Sequence, residues 1–284
     1  MGGPAQPLPL PLPIGKAHAY GNDFLLVPEA SLSQTDAART ARDLAIALCH
    51  RHHGIGADGL ILYTLRSGGA TMKIWNADGS PSELSGNGLR CLAALVARTQ
   101  RIAAEASVTI DTEAGVKTLE LLARDGERYT FRAAMGLPED LRQVSIPVGG
   151  EPVKASVLRL GNPQCIVLGS LPDSERFNRL GPALATHAMF PAGTNVEFAH
   201  VEAPDRVRIL IWERGVGPTT SSGTGSSASA VAAAAHGGAA REVDVIAPGG
   251  SQRVEWRQDG VYLTGWAELV LTGEWLPGSE TAGR

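Results

Sequence analysis

The sequence predicts an α+β fold of two similar domains, and three observations carry that prediction. Short strand-like runs separated by Gly or charged turns fill both halves, two helices open on the same Ser-Gly-X-Gly start, and turn, strand end and helix start recur in the same order. Ser85 of Ser85-Gly-Asn-Gly88 and Ser222 of Ser222-Gly-Thr-Gly225 are the matched starts, 137 positions apart. Asn76 and Glu213 end the preceding strands at the same spacing, and Gly21-Asn22 returns 140 positions later as Gly161-Asn162. Symmetry of this kind argues for two similar domains with a site between them.

The elements follow in order. Met1 to Ile14 alternates Pro with Leu and has no charged start, so it reads as an extended polyproline-like arm rather than a signal peptide. Tyr20 to Val27 is a polar turn against a short apolar strand. Thr35 is an N-cap candidate for a helix to about Arg51, because Ala37, Ala41, Leu44, Ala45 and Leu48 recur at helical spacing. Gly54 to Gly59 is a loop before a buried strand at 60–64, and 71–76 is another strand. After Ser85, Leu89, Leu92, Ala93 and Val96 line one helix face. Strands at 107–112, 116–122 and 128–134 form a meander, and the polar stretch 136–147 reads as a domain junction.

In the second half a helix is expected over 173–187 and a strand over 206–212. The stretch 223–236 is almost all Ala, Ser and Gly, a helix smooth enough to be enclosed by strands, with Gly237 as its C′ stop. Strands at 241–247, 252–257, 261–264 and 267–271 close the chain.

A helix start leaves its first N–H groups without intrahelical partners and carries the positive end of the macrodipole, so it can hold a carboxylate or phosphate. Two such starts suggest one shared anion. A net charge of −4 without a long basic run excludes an electrostatic footprint for nucleic acid, and no apolar run is long enough for a membrane span. Cys49, Cys91 and Cys165 are odd in number and far apart, which indicates neither a disulfide framework nor a zinc site and fits a reducing cytoplasm. His50, His52 and His53 crowd a helix end and are read as complementing its C-terminus rather than binding a metal.

The motifs can now be taken together: Gly21-Asn-Asp-Phe24, Gly54-Ile-Gly-Ala-Asp-Gly59, Asn76-Ala-Asp-Gly79, Gly86-Asn-Gly88 with Arg90-Cys91, Gly161-Asn-Pro163, Asn195-Val-Glu-Phe198, and Glu213-Arg-Gly215 with Gly223-Thr-Gly225. The set resembles the diaminopimelate epimerase family from about residue 16 to 274. The resemblance implies two domains, each a mainly antiparallel sheet curled around a central helix, with the last strand returning to the first domain. The expected division is an arm at 1–14, a first domain of 15–134 plus 265–277, and a second of 135–264. It also implies inversion of an amino-acid α-carbon, LL- to meso-diaminopimelate, on the route to lysine and peptidoglycan. No cofactor is implied, and none of Lys16, Lys73, Lys117 and Lys154 lies where it would serve pyridoxal phosphate. The expected partner is a small amino-acid substrate, with a homodimer left open.

By position, the resemblance assigns substrate contacts to Asn22, Asn76, Asn162 and Asn195, the distal end of the substrate or the pocket wall to Glu213 and Arg214, and the carboxylate cradle to Gly86, Asn87, Gly223 and Thr224. The family uses one cysteine on each side of the α-carbon; here those positions are Ser85 and Ser222. Its Gly-Asn-Pro-His is Gly161-Asn-Pro-Gln164, and Gln164 can orient but cannot exchange a proton near neutrality. Glu213 is the titratable group that stands clearly within the motifs, with Asp78 and Glu83 as further candidates. Further differences at 219–222, 226 and 227 point to a natural subgroup rather than an altered chain. Two other readings stay open: a different proton-shifting isomerase acting through Glu213, as in the phenazine-pathway isomerases, and a non-catalytic amino-acid-binding homologue.

Overall fold

The computed structural model describes residues 11–32 and 37–276, with side chains for all of these except 37–40. The start of the Pro-rich stretch and Thr35 lie outside them. The chain forms two compact units, one of residues up to Phe131 together with those from Trp266, the other Arg132–Gly265.

The first ten elements are β1 (Leu12–Ala19), β2 (Asn22–Pro28), α1 (Ala37–Cys49), β3 (Gly59–Arg66), β4 (Gly69–Asn76), β5 (Pro81–Ser82), α2 (Gly86–Gln100), β6 (Ser107–Thr112), β7 (Gly115–Asp125) and β8 (Arg128–Gly136). There follow β9 (Glu139–Val148), β10 (Glu151–Leu160), β11 (Asn162–Leu168), α3 (Ser174–Ala185), β12 (Asn195–Ala203), β13 (Arg206–Glu213), β14 (Gly217–Thr219), α4 (Gly223–His236), β15 (Glu242–Ala247), β16 (Gly250–Trp256) and β17 (Val261–Trp275). The run from β2 to β7 and the run from β11 to β16 have the same order of strands and helices.

The sheet is mixed. Most neighbours are antiparallel, but β2–β3, β4–β6, β11–β12 and β13–β15 pair in parallel. Parallel neighbours need a crossover, and α1, α2, α3 and α4 are those crossovers in turn. Within the expected meander at 107–134, β6 pairs antiparallel with β7, and on its other side β6 pairs in parallel with β4.

In the first unit α2 packs against β1, β2, β3, β4, β6 and β7, and in the second α4 packs against β10, β11, β12, β13, β15 and β16. Asn87 to Ala97 of α2 are all buried, so this helix is enclosed rather than one-sided, and even Arg90 is only 2% exposed. The smooth sequence of α4 has the expected consequence: Gly225 to Ala233 are all buried. The outer helices are amphipathic. Leu44, Ala45 and Leu48 of α1 join Leu12, Ile14 and Leu25, and Leu180 and Leu184 of α3 join Ile146, Val196 and Phe198.

Other boundaries differ from expectation for identifiable reasons. Leu12 and Ile14, read as part of the arm, are buried in β1, which pairs with β17. The polar stretch after Gly136 is strand β9, whose outward residues are polar while Ile146 and Val148 face the core. Positions 261–275 are one strand, because burial alternates straight through Gly265. Gly237 caps α4 in a right-handed conformation, and the left-handed residue is Gly238 at φ 79°.

Candidate active site

In the first unit, the tight turn Tyr20-Gly21 has positive φ at both residues, as a two-residue hairpin requires. The cost of a left-handed tyrosine is met by packing: Tyr20 is buried against Trp266 and its hydroxyl accepts from the Trp266 N–H at 3.2 Å. The turn delivers Asn22 to the start of β2. Its Nδ2 donates to Asp58 Oδ2 at 2.8 Å, and its Oδ1 accepts from Asn87 Nδ2 at 3.1 Å. Asn87 Oδ1 in turn accepts from the buried Arg90 guanidinium at 2.5 Å. Two residues assigned to substrate contact are thus joined to each other.

Asn76 makes a different arrangement, donating to Ser80 Oγ at 2.9 Å within its own turn. Asp78 accepts from the Ser80 N–H and hydroxyl, which holds its carboxyl below the usual range. Ser85 is the N-cap of α2: its Oγ accepts from the Gly88 N–H at 3.1 Å, leaving the amides of Gly86 and Asn87 outside the helical ladder.

Behind Asn22 stands an ion cluster. Asp23 pairs with Lys16 and with Arg51, each at 3.0 Å, and Arg51 reaches Asp58 at 2.7 Å. Burial pushes Asp23 up, but hydrogen bonds from Arg51 and Lys16 outweigh it and its carboxyl lies below the ordinary aspartate range. A depressed carboxyl adds stability above the unfolded pKa and loses it as pH falls through the folded one. Asp23→Asn is therefore expected to cost roughly 2 kcal/mol at pH 7, with the difference shrinking below about pH 4. Urea melts at pH 7 and pH 3 measure this, and an equal loss at both would refute the linkage.

The second unit repeats the cap. Ser222 Oγ accepts from the Gly225 N–H at 3.1 Å, and the backbone angles of Ser85 (φ −134°, ψ 121°) and Ser222 (φ −142°, ψ 124°) nearly coincide. Thr224 Oγ1 lies 3.5 Å from Ser222 Oγ. Asn162 Oδ1 accepts from the Gln164 amide at 2.5 Å. Asn195, buried at the start of β12, accepts the Arg214 N–H at 2.9 Å, which fixes the end of β13. The Arg214 guanidinium donates to the Ala192 carbonyl at 2.7 Å. Glu213 is half-buried at the end of β13, and burial raises its pKa.

The sequence reading missed Glu197. On β12, Val196 and Phe198 face α3 while Ala199 faces α4, and alternation puts Glu197 on the α4 side. It is 0% exposed, and a Cβ on Gly225 would collide with its Oε1. Burial, aided by the Glu213 charge, lifts its pKa well above the usual range. The available signal was an acid inside the apolar run Val196-Glu-Phe-Ala199, a residue that is buried whichever way it points.

The remaining candidates have structural explanations. Cys49, Cys91 and Cys165 are free and buried; burial pushes the Cys49 and Cys165 thiols up to about 12 and Cys91 higher still. His50 Nδ1 accepts from the N–H groups of His52 and His53, closing the turn after α1. Among the described residues, no group of His, Cys, Asp and Glu could hold a metal ion, and no helix is long and apolar enough to cross a membrane. Gln164, Pro163, Arg142, Arg159 and Phe190 contribute to the lining of a cavity of about 290 Å³ in the second unit.

The chain also matches known proteins in sequence and fold. The diaminopimelate epimerase family model matches residues 14–139 and 156–270. The diaminopimelate epimerase of Desulforudis audaxviator is 42% identical over 92% of this chain and 98% of its own, and that of Synechocystis sp. is 38% identical over 93% and 98%. Among solved structures, a probable proline racemase from Agrobacterium radiobacter has a TM-score of 0.68 at 17% identity, covering 96% of each chain. A hydroxyproline epimerase from Agrobacterium vitis has a TM-score of 0.66 at 18% identity, over 93% of this chain and 91% of its own. These share the fold. With the matched serine-capped helices in place and the family's sequence running through both units, this chain belongs to the diaminopimelate epimerase family of isomerases.

Proposed function

We propose that the chain converts LL- to meso-diaminopimelate by direct proton transfer at the α-carbon, with Ser85 and Ser222 in the two proton-transfer positions. The observation that carries this is the duplicated cap: two enclosed helices, each with a serine Oγ at its tip and two first-turn amides outside the helical ladder beside it. The N–H groups of Gly86, Asn87, Gly223 and Thr224, which have no intrahelical partners, suit the substrate α-carboxylate, which takes up charge as the proton leaves. One tip removes the α-proton from one face and the other delivers a proton to the opposite face, so the centre inverts and the two tips exchange protonation states. Asn22, Asn76, Asn162 and Asn195 are the proposed substrate contacts, and Glu213 and Arg214 the proposed wall for its distal end.

A second reading is favoured by one observation: Glu213 stands half-buried at the end of β13, and burial raises its pKa, the direction that suits a carboxylate base, while Gln164 stands in place of a histidine. That scheme moves a proton on one face and isomerises rather than inverts. Incubation with LL-diaminopimelate in deuterated water distinguishes the two. The epimerase reading expects α-deuterium together with meso product, and abolition by Ser85→Ala or Ser222→Ala. Exchange that survives both serine variants but not Glu213→Gln supports the second reading. No α-deuterium at protein concentrations near the substrate's refutes both for this substrate.

A further inference from the structure

One arm of the Gln164 amide lies 3.2 and 3.1 Å from the two carboxyl oxygens of Glu197, and the other lies 3.2 Å from Thr224 Oγ1 and 2.5 Å from Asn162 Oδ1. Thr224 Oγ1 is 3.5 Å from Ser222 Oγ. A continuous hydrogen-bonded path therefore runs Glu197, Gln164, Thr224, Ser222, entirely within the second unit. We infer that Glu197 is a positioning residue for Ser222, setting through the Gln164 amide and the Thr224 hydroxyl whether the Ser222 oxygen is offered a hydrogen bond or its hydroxyl proton is drawn into one.

The path has two internally consistent polarities, because an amide has a donor end and an acceptor end while a hydroxyl does both. With Glu197 as a neutral acid, its O–H donates to Gln164 Oε1, and Gln164 Nε2 donates to Asn162 Oδ1 and Thr224 Oγ1. Thr224 is then free to donate toward Ser222 Oγ, which stabilises negative charge on that oxygen. With Glu197 ionised, Gln164 must turn its Nε2 to the carboxylate. Its oxygen then accepts from Thr224, and Thr224 can accept from the Ser222 hydroxyl. In that state Gln164 Oε1 also faces Asn162 Oδ1, so Asn162 must turn its amide as well.

The packing supports the first polarity at rest. Glu197 and Gln164 are both 0% exposed. The first-turn amide beside Glu197, that of Gly225, is spent on Ser222 Oγ. The ionisable groups that sense Glu197 are Glu213 from β13 and Cys165 from β11, and the first turn of α4 brings only Gly, Thr and Ser. A charge on Glu213 adds to burial in keeping the proton on Glu197.

The inference rests on reading Ser222 as a proton-transfer tip, and its test separates the two. In 15N-labelled protein, the Gln164 side-chain amide signals, assigned by their loss in Gln164→Met, are followed against pH. They are expected to shift as Glu197 titrates above the ordinary carboxylate range, and the shift is expected to vanish in Glu197→Gln, whose amide fixes the first polarity. In α-proton exchange with LL-diaminopimelate, Glu197→Gln should remove that group's limb from the kcat profile with KM within roughly 2-fold of wild type. Thr224→Val should lower kcat on the order of 10-fold, and Thr224→Ser, which keeps the hydroxyl, should recover most of it. Gln164 signals indifferent to Glu197 titration overturn the path, as does a wild-type kcat profile in Glu197→Gln. If Glu197→Gln does not fold, the wild-type titration and the Thr224 pair decide. A wild-type chain with no exchange removes the proposed substrate, while the Gln164 titration still decides the path.

Discussion

Ser85→Cys combined with Ser222→Cys is expected to raise the rate of α-proton exchange by on the order of 10²-fold or more. A hydroxyl resembles water, near pKa 15.7, whereas a cysteine thiol is near 8.5, a gap of about 7 units or roughly 10 kcal/mol. A helix N-terminus contributes at most about 2 kcal/mol toward ionising the group at its tip. It can therefore bring a thiol into the working range but leaves a hydroxyl far outside it. Both caps are built to receive the change, since Gly88 and Gly225 already donate their amides to the side-chain oxygens. Each single variant should gain less, because the opposite face still presents a hydroxyl. Deuterium incorporation by NMR measures this, with LL-diaminopimelate as substrate. A folded double variant no faster than wild type would show that the pocket takes a different substrate.

A large stability loss is expected at Gly54. The loop after α1 folds back over the end of that helix: Gly54 donates to the His50 carbonyl at 2.9 Å, Ile55 and Gly56 to that of Leu48 at 2.9 and 3.0 Å, and Ala57 to that of Cys49 at 3.1 Å. These bonds satisfy carbonyls that a helix C-terminus otherwise leaves open. The closeness leaves no room for a side chain, since a Cβ on Gly54 would strike the Ala47 carbonyl oxygen and lie 2.6 Å from that of Leu48. Both are backbone atoms and cannot turn aside. Gly54→Ala is expected to cost on the order of 3 kcal/mol, lowering Tm by roughly 6 °C or more. The same loop carries Asp58, which orients Asn22, so exchange activity should fall with it. A melting temperature unchanged from wild type would contradict this account of the glycine.

Local chemistry made much of the fold legible. Ser85, Asp173 and Ser222 are helix N-caps with the geometry their side chains imply, and α4 is enclosed because its residues have almost no bulk. Where the sequence misled, the cause was contact with something distant. Leu12 and Ile14 look like an arm until β17 is beside them, and β9 looks like a junction because its start is mostly polar and the apolar Val144, Ile146 and Val148 that mark its inner face stand at alternate positions.

The sequence by itself determined the family, the duplicated plan and the identity of the groups at both helix tips, all of which depend on residue type and spacing along one segment. Tertiary structure alone decided the surroundings. It joined Asn22 to Asn87, spent Asn195 on the Arg214 backbone, and placed Glu197 behind Gln164 and Thr224. Strands far apart in sequence set a side chain's neighbours and its access to water, and those set which proton it holds. Spacing along the chain carries neither.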